Sequence, residues 1–166
     1  MLFCYSATQK SKIYAEVLGA ILALPVYMLE SDIDVSHKTS LFIKGVWKAV
    51  LKQTSPVLNM PRADVFSLNS CSDGKGVYIC GPVWGGYPAA PVRYFLENAH
   101  LKGKRVNMLL TSSVSHTSYS VRGRKMLNDV GCNPGFVEVF ATGGVSLERD
   151  VIESHIREMF FYEGEK

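Results

Sequence analysis

Five short apolar runs, separated by stretches of helical periodicity, constrain the fold of this 166-residue chain more than any other feature. The runs are residues 2–5, 25–29, 77–80, 105–110 and 136–141, each with the length and composition of a buried strand. Between them lie helical patterns. Ile13, Val17 and Ile21 share one side of a helix beginning near Lys10, and residues 40–53 form a second that is apolar around much of its circumference, Trp47 included. Val92, Phe95, Leu96 and Ala99 mark a third; Tyr119, Met126, Leu127 and Val130, with Gly131 as terminator, mark a fourth. The last is capped by Ser146 and apolar at Leu147, Val151, Ile152, Ile156 and Met159. Strands alternating with helices predict an α/β fold: a doubly wound, five-stranded parallel sheet with helices on both faces. Right-handed crossovers leave few strand orders open.

With 47% hydrophobic and 20% charged residues, residues 1–166 read as a single domain with a sizeable core. Residues 54–75 read as an irregular connection with one strand-like patch at 64–68. Runs such as 18–24 and 108–110 fall short of the roughly 20 apolar residues that span a bilayer, and the start lacks the pattern of a signal peptide. The expected location is cytoplasmic, with no membrane partner. Cys4, Cys71, Cys80 and Cys132 show no metal-ligand spacing and read as buried, reduced thiols. A net charge of +3 does not argue for nucleic acid, but it is unevenly spread. Between Arg93 and Lys125 seven basic residues face one acid, Glu97. Trp47 reads either as core or as a contact with a second subunit, so the expected state is monomer or homodimer.

Three polar loops follow the first, third and fourth strands, at the carboxyl ends where open α/β sheets bind ligands. The first turn carries Ser6, Thr8 and Ser11 at the amino end of a helix. Its hydroxyls and free amides either cap the helix or hold a phosphate in the positive end of the helix dipole. After the third strand, Gly81 and Pro82 end the apolar run and open a loop of Val83, Trp84, Gly85, Gly86, Tyr87 and Pro88. Prolines stiffen it, glycines uncover backbone amides, and two rings offer flat surfaces to a flat ligand. The third loop, Thr111, Ser112, Ser113 and on to His116 and Tyr119, offers hydroxyls and amides to a polar ring edge, and His116 or Tyr119 to its face. No nucleophile elbow, zinc-protease or Walker pattern occurs, so no catalytic residue and no metal site are assigned.

The run Gly81-Pro82-Val83-Trp84-Gly85-Gly86-Tyr87-Pro88, followed by Pro91-Val92 and by residues 101–106, resembles the flavodoxin-like family, whose members bind FMN. The resemblance implies strand order 2-1-3-4-5 with FMN at the switch between the first and third strands, as is known for flavodoxin itself. It also implies that Ser6, Thr8 and Ser11 match the hydroxyls of the family's phosphate turn. Gln9 stands where that turn has glycine, and Lys10 adds positive charge beside it. The FMN ring would then lie between Pro82 to Gly86 and the Thr111 to Tyr119 loop, with Trp84 stacked on it.

The function this implies is an FMN-binding redox protein that passes electrons between partner proteins. One alternative is an NAD(P)H-dependent FMN oxidoreductase acting on a quinone-like small molecule, with Arg122, Arg124 or Lys125 drawing in an anionic partner or a nicotinamide phosphate. Another is a cofactor-free flavodoxin-like interaction module, suggested by Gln9 and the serine-rich third loop.

Overall fold

The computed structural model of the chain describes residues 1–32, 39–51, 53–61, 76–114, 116–144 and 148–162. Its elements are β1 (Leu2–Tyr5), α1 (Lys10–Leu22), β2 (Val26–Leu29), α2 (Thr39–Val50), β3 (Val77–Trp84), β4 (Tyr87–Pro88), α3 (Ala90–Asn98), β5 (Arg105–Ser112), α4 (Thr117–Asp129), β6 (Asn133–Ala141) and α5 (Arg149–Tyr162). Strands β2, β1, β3, β5 and β6 lie side by side in that order, all parallel, and β4 pairs antiparallel with the end of β3. The five parallel strands thus keep the expected order 2-1-3-4-5. The sixth is a two-residue addition outside that path.

Strand side chains alternate between faces, and the two faces hold separate cores. Phe3, Tyr5, Ile79, Met108 and Leu110 point to one side, where Phe95, Leu96 and Leu127 of α3 and α4 cover them. Leu2, Cys4, Tyr78, Cys80 and Leu109 point to the other, beneath Tyr14 and Leu18 of α1 and Ile152 and Ile156 of α5. Helices therefore cover both faces. Burying each such Leu or Phe is worth about 1.5–3 kcal/mol, so β1, β3 and β5 form a stiff floor for the loops at their carboxyl ends.

Several strands run further than their apolar residues indicate. Strand β5 continues through Thr111 and Ser112, and β6 begins at Asn133 and includes Pro134 and Gly135, with a register irregularity against β5 between Val106 and Met108. Buried Asn107 accommodates that irregularity, its Oδ1 accepting from the Phe136 N–H at 3.1 Å. Among the described residues, no helix is long and apolar enough to cross a membrane. Cys4, Cys80 and Cys132 are free and buried. The expected patch at 64–68, Cys71, the Ser146 cap and Leu147 lie outside the described residues.

Trp47 is 60% exposed and thus not core; with Ile43, Val50 and Leu51 it forms an exposed apolar stripe along α2. His155, close in sequence to the buried face of α5, is exposed, its ring 6.3 Å from that of Phe140.

Candidate functional site

The three polar loops meet because β1, β3 and β5 are neighbours. Cys4 aligns with Cys80, and Pro82 aligns with Thr111. A buried hydrogen bond of 2.7 Å between the hydroxyls of Ser11 and Thr111 ties the first loop to the third across a hundred residues of sequence.

The turn between β1 and α1 combines exposed residues with a shielded, unpaired hydroxyl. Gln9, the residue before the helix, adopts φ 62°, a left-handed conformation that costs an L-residue about 1–2 kcal/mol. A glycine would adopt it freely, which explains the glycine expected there from the resemblance; glutamine accommodates the same turn under strain. No side chain caps α1, and the leading N–H groups of a helix have no acceptor within it. The Ser6 hydroxyl oxygen is shielded from solvent and has no hydrogen-bond partner. Thr8 and Gln9 are exposed, and half-buried Lys10 has no carboxylate partner among the described residues. Ser11 differs from the expectation. Its side chain is 2% exposed and its hydroxyl is committed to Thr111, so it braces the turn from below.

Beneath the turn, the Cys80 thiol donates to the Ser11 carbonyl at 3.2 Å. Burial, and then the hydrogen bond and charge of Cys4, hold the Cys80 thiol well above its usual range. Burial also raises the hydroxyl of Tyr14, with a smaller contribution from Cys80. The floor of the turn is thus neutral. An anion above it meets the helix amides without a competing thiolate.

The second loop departs most from the expectation. Gly81 and Pro82 do not end β3, which continues through Val83 to Trp84, turns at Gly85 and Gly86, and returns as β4. Pro82 is tolerated because β1 pairs with β3 only as far as Cys80, so its missing N–H breaks no bond on that side. Its carbonyl accepts from the Ala89 N–H at 3.0 Å, closing the hairpin. Gly85 and Gly86 both have positive φ, 56° and 83°, as the tight turn requires.

The hairpin turns its largest ring inward. Trp84 is 5% exposed, edge-on to Tyr5 with centroids 5.7 Å apart, and packed so closely on α2 that a Cβ at Gly45 would lie 3.1 Å from the ring. It is a core residue and offers no open platform. Tyr87 is half-buried beneath the Arg122 guanidinium, 4.5 Å from its ring centroid, while Arg122 Nη1 donates to the Gly86 carbonyl at 3.0 Å. Arg122, expected on a solvated helix face or facing a partner, instead fastens the hairpin to α4. Arg124 donates to the Gly135 carbonyl at 3.1 Å and Lys125 pairs with Asp129 at 3.0 Å.

In the third loop Thr111 and Ser112 are buried, and Ser113 and His116 are exposed. The Ser112 carbonyl accepts two bonds from Thr142, from its N–H at 2.6 Å and its hydroxyl at 3.0 Å. His116 caps α4, its Nδ1 accepting from the Ser118 N–H at 3.1 Å, with the Tyr119 ring 5.5 Å from its own. Thr142 was not anticipated in this role. A hydroxyl at a strand's carboxyl end was the available signal, because it repeats the place of Ser6 after β1 and of Thr111 and Ser112 in β5. Among the described residues, no group of three His, Cys, Asp or Glu is placed to hold a metal.

No family model matches the sequence, and no curated protein matches it. Solved structures do. A protein of Bacteroides eggerthii, classed provisionally as a flavoprotein, superposes with a TM-score of 0.68 at 19% identity, over 96% of each chain. A flavoprotein of Lactobacillus acidophilus solved in complex with FMN gives 0.59 at 17% identity, over 83% of this chain and 90% of that one. A flavodoxin from the domain Archaea gives 0.52 at 9% identity, over 96% and 97%. With the strand order and the position of its polar loops, these likenesses show that the chain has the flavodoxin-like fold.

Proposed function

We propose that this chain binds FMN across the three loops and acts as a flavin redox protein that passes electrons to and from a partner. The observation that carries this reading is the Ser6 hydroxyl, buried and unpartnered beside a helix end that no side chain caps. A buried polar group without a partner costs about 1–3 kcal/mol, and a phosphate oxygen would satisfy it while lying in the positive end of the helix dipole. The FMN-bound Lactobacillus protein of the same fold supports the choice of cofactor. Ser6, Thr8, Gln9, Lys10 and the first amides of α1 would hold the phosphate. Exposed Ser113 and the glycine hairpin would border the ring.

When bound, FMN supplies the electron-accepting chemistry, and the protein sets its strength by packing and charge. Ser11 and Thr111 hold the phosphate turn against the ring loop at fixed spacing. Arg122 steadies the hairpin and contributes a positive charge near it, which favours added electrons on a neighbouring group.

A second reading, an NAD(P)H-dependent oxidoreductase acting on a quinone-like molecule, is favoured by one observation. Trp84 is in the core and Tyr87 lies under Arg122, so neither hairpin ring is free to cover a flavin face. An uncovered face suits hydride transfer, for which donor and acceptor must come within van der Waals contact.

The visible absorption spectrum of the purified protein, before and after addition of FMN and with mass analysis of the released chromophore, tests the common core of both readings. Flavin bands with FMN released are expected. A colourless protein that takes up no FMN would overturn both and leave the fold as an interaction module. Steady-state NADPH oxidation with a quinone, set against single-electron transfer from photoreduced protein to a heme protein, separates enzyme from carrier.

A further inference from the structure

Part of the basic tract between Arg93 and Lys125 converges on one cleft. A cavity of about 150 Å³ is lined by Tyr87, Arg93, Arg122, Lys125, Met126 and Asp129, residues of the hairpin, α3 and α4. Arg93 is half-buried, and its Nε is shielded from solvent without a hydrogen-bond partner. An arginine cannot shed its proton to relieve this. Arg122 uses Nη1 on the Gly86 carbonyl and has no carboxylate partner among the described residues. Lys125 pairs with Asp129 at 3.0 Å. Three cations against one carboxylate leave the lining a surplus of two positive charges.

We infer that this cleft binds a phosphate group through Arg93, Arg122 and Lys125. Size and charge both select that ligand. A volume of about 150 Å³ is well above the ~10–15 Å³ that admits one water, room for a phosphate but below the ~300 Å³ at which pockets for whole organic ligands begin. A phosphate monoester carries about −1.5 to −2 at neutral pH, which offsets the surplus, and guanidinium forks match its oxygens. The site is distinct from the Ser6 turn: no residue from Ser6 to Ser11 lines the cleft. Because Arg122 also holds Gly86, an anion that draws on Arg122 acts on the hairpin. The consequence for a bound flavin rests on the proposed function; phosphate binding itself does not.

The test is a residue-resolved NMR titration of the full chain with inorganic phosphate at constant ionic strength, followed at the Arg93 Nε–H and the Tyr87 and Met126 amides. These signals are expected to move together on one saturating curve. Arg93→Gln should weaken the curve by about tenfold or more, and Lys125→Gln by less, since Lys125 is exposed. Parallel titrations with NADPH and NADH identify the source. Saturation by NADPH at lower concentration than inorganic phosphate, with none by NADH, assigns the phosphate to a nicotinamide nucleotide; saturation by inorganic phosphate alone assigns a free ion. No saturating movement at Arg93 with any of the three overturns the inference. Should Arg93→Gln fail to fold, an unchanged curve in Lys125→Gln does the same. FMN addition is followed separately at the Lys10 and Ser11 amides, so a chain that takes up no flavin still reports on the cleft.

Discussion

The turn after β1 and the hairpin after β3 lie side by side at the same edge of the sheet, yet they resolve opposite needs. The turn is polar and left unsatisfied: a shielded Ser6 hydroxyl without a partner, an uncapped helix end, and a strained Gln9. The hairpin is aromatic and satisfied, with Trp84 in the core, the Gly86 carbonyl bonded to Arg122, and Tyr87 beneath a guanidinium. Both contain the residue types of a flavin site. Of these two regions, only the turn keeps a shielded hydroxyl of its own without a partner. A large ring in a loop is thus as readily consumed by packing as offered to a ligand.

Substitutions in the two regions can break that contrast. The largest effect is expected in the hairpin: Trp84→Ala should destabilise the fold by about 3–5 kcal/mol in a denaturant titration, the cost of emptying a core site. A change below about 1 kcal/mol, with flavin binding lost, would return Trp84 to the role of a stacking platform. Under the turn, the raised Cys80 thiol and Tyr14 hydroxyl predict alkaline sensitivity. Both are neutral when protonated and have folded-state values above their unfolded ones. Their stabilising contribution is therefore complete below the ordinary thiol value of 9.0 for Cys80 and the ordinary hydroxyl value of 10.0 for Tyr14, and declines above it, by at most about 1.4 kcal/mol per pH unit for each group. Melting temperatures measured across this range should fall less steeply in Cys80→Ala than in the native chain.

At the turn itself, Ser6→Ala should weaken FMN binding by about tenfold, as followed by flavin fluorescence quenching, while leaving stability unchanged or slightly raised because an unpaired buried hydroxyl is gone. A loss of stability without loss of affinity would make Ser6 structural and dissolve the contrast with the hairpin. The smallest effect is expected for Gln9→Gly. Relief of the left-handed strain, offset by the greater freedom of an unfolded glycine, should raise stability by about 0.5–1 kcal/mol in chemical denaturation.

Much of the architecture was legible in the order of residues, and the reason is local. Leu2 to Tyr5 and the helix from Lys10 declare themselves by period, because side chains alternate along a strand and recur every turn of a helix. Right-handed crossovers then narrow the order of β2, β1, β3, β5 and β6. The place of the first turn's hydroxyls was legible for the same reason: Ser6 and Thr8 stand just before the helix that follows them.

Contacts between distant segments were not legible. Whether Trp84 faces a ligand or the core depends on how closely α2 approaches at Gly45, and nothing near Trp84 in the chain encodes that distance. From its neighbours alone Ser11 reads as a phosphate ligand, because its partner, Thr111, is a hundred residues away. Arg122 looked like surface charge until the hairpin folded back to bring the Gly86 carbonyl and the Tyr87 ring to it. The sequence by itself determined the elements, their alternation and the polar character of the three loops, since these follow from local propensity and burial period. Only the tertiary structure decided which groups in those loops are spent on one another and which remain unpaired, because hydrogen bonding and packing act through space and are indifferent to separation along the chain.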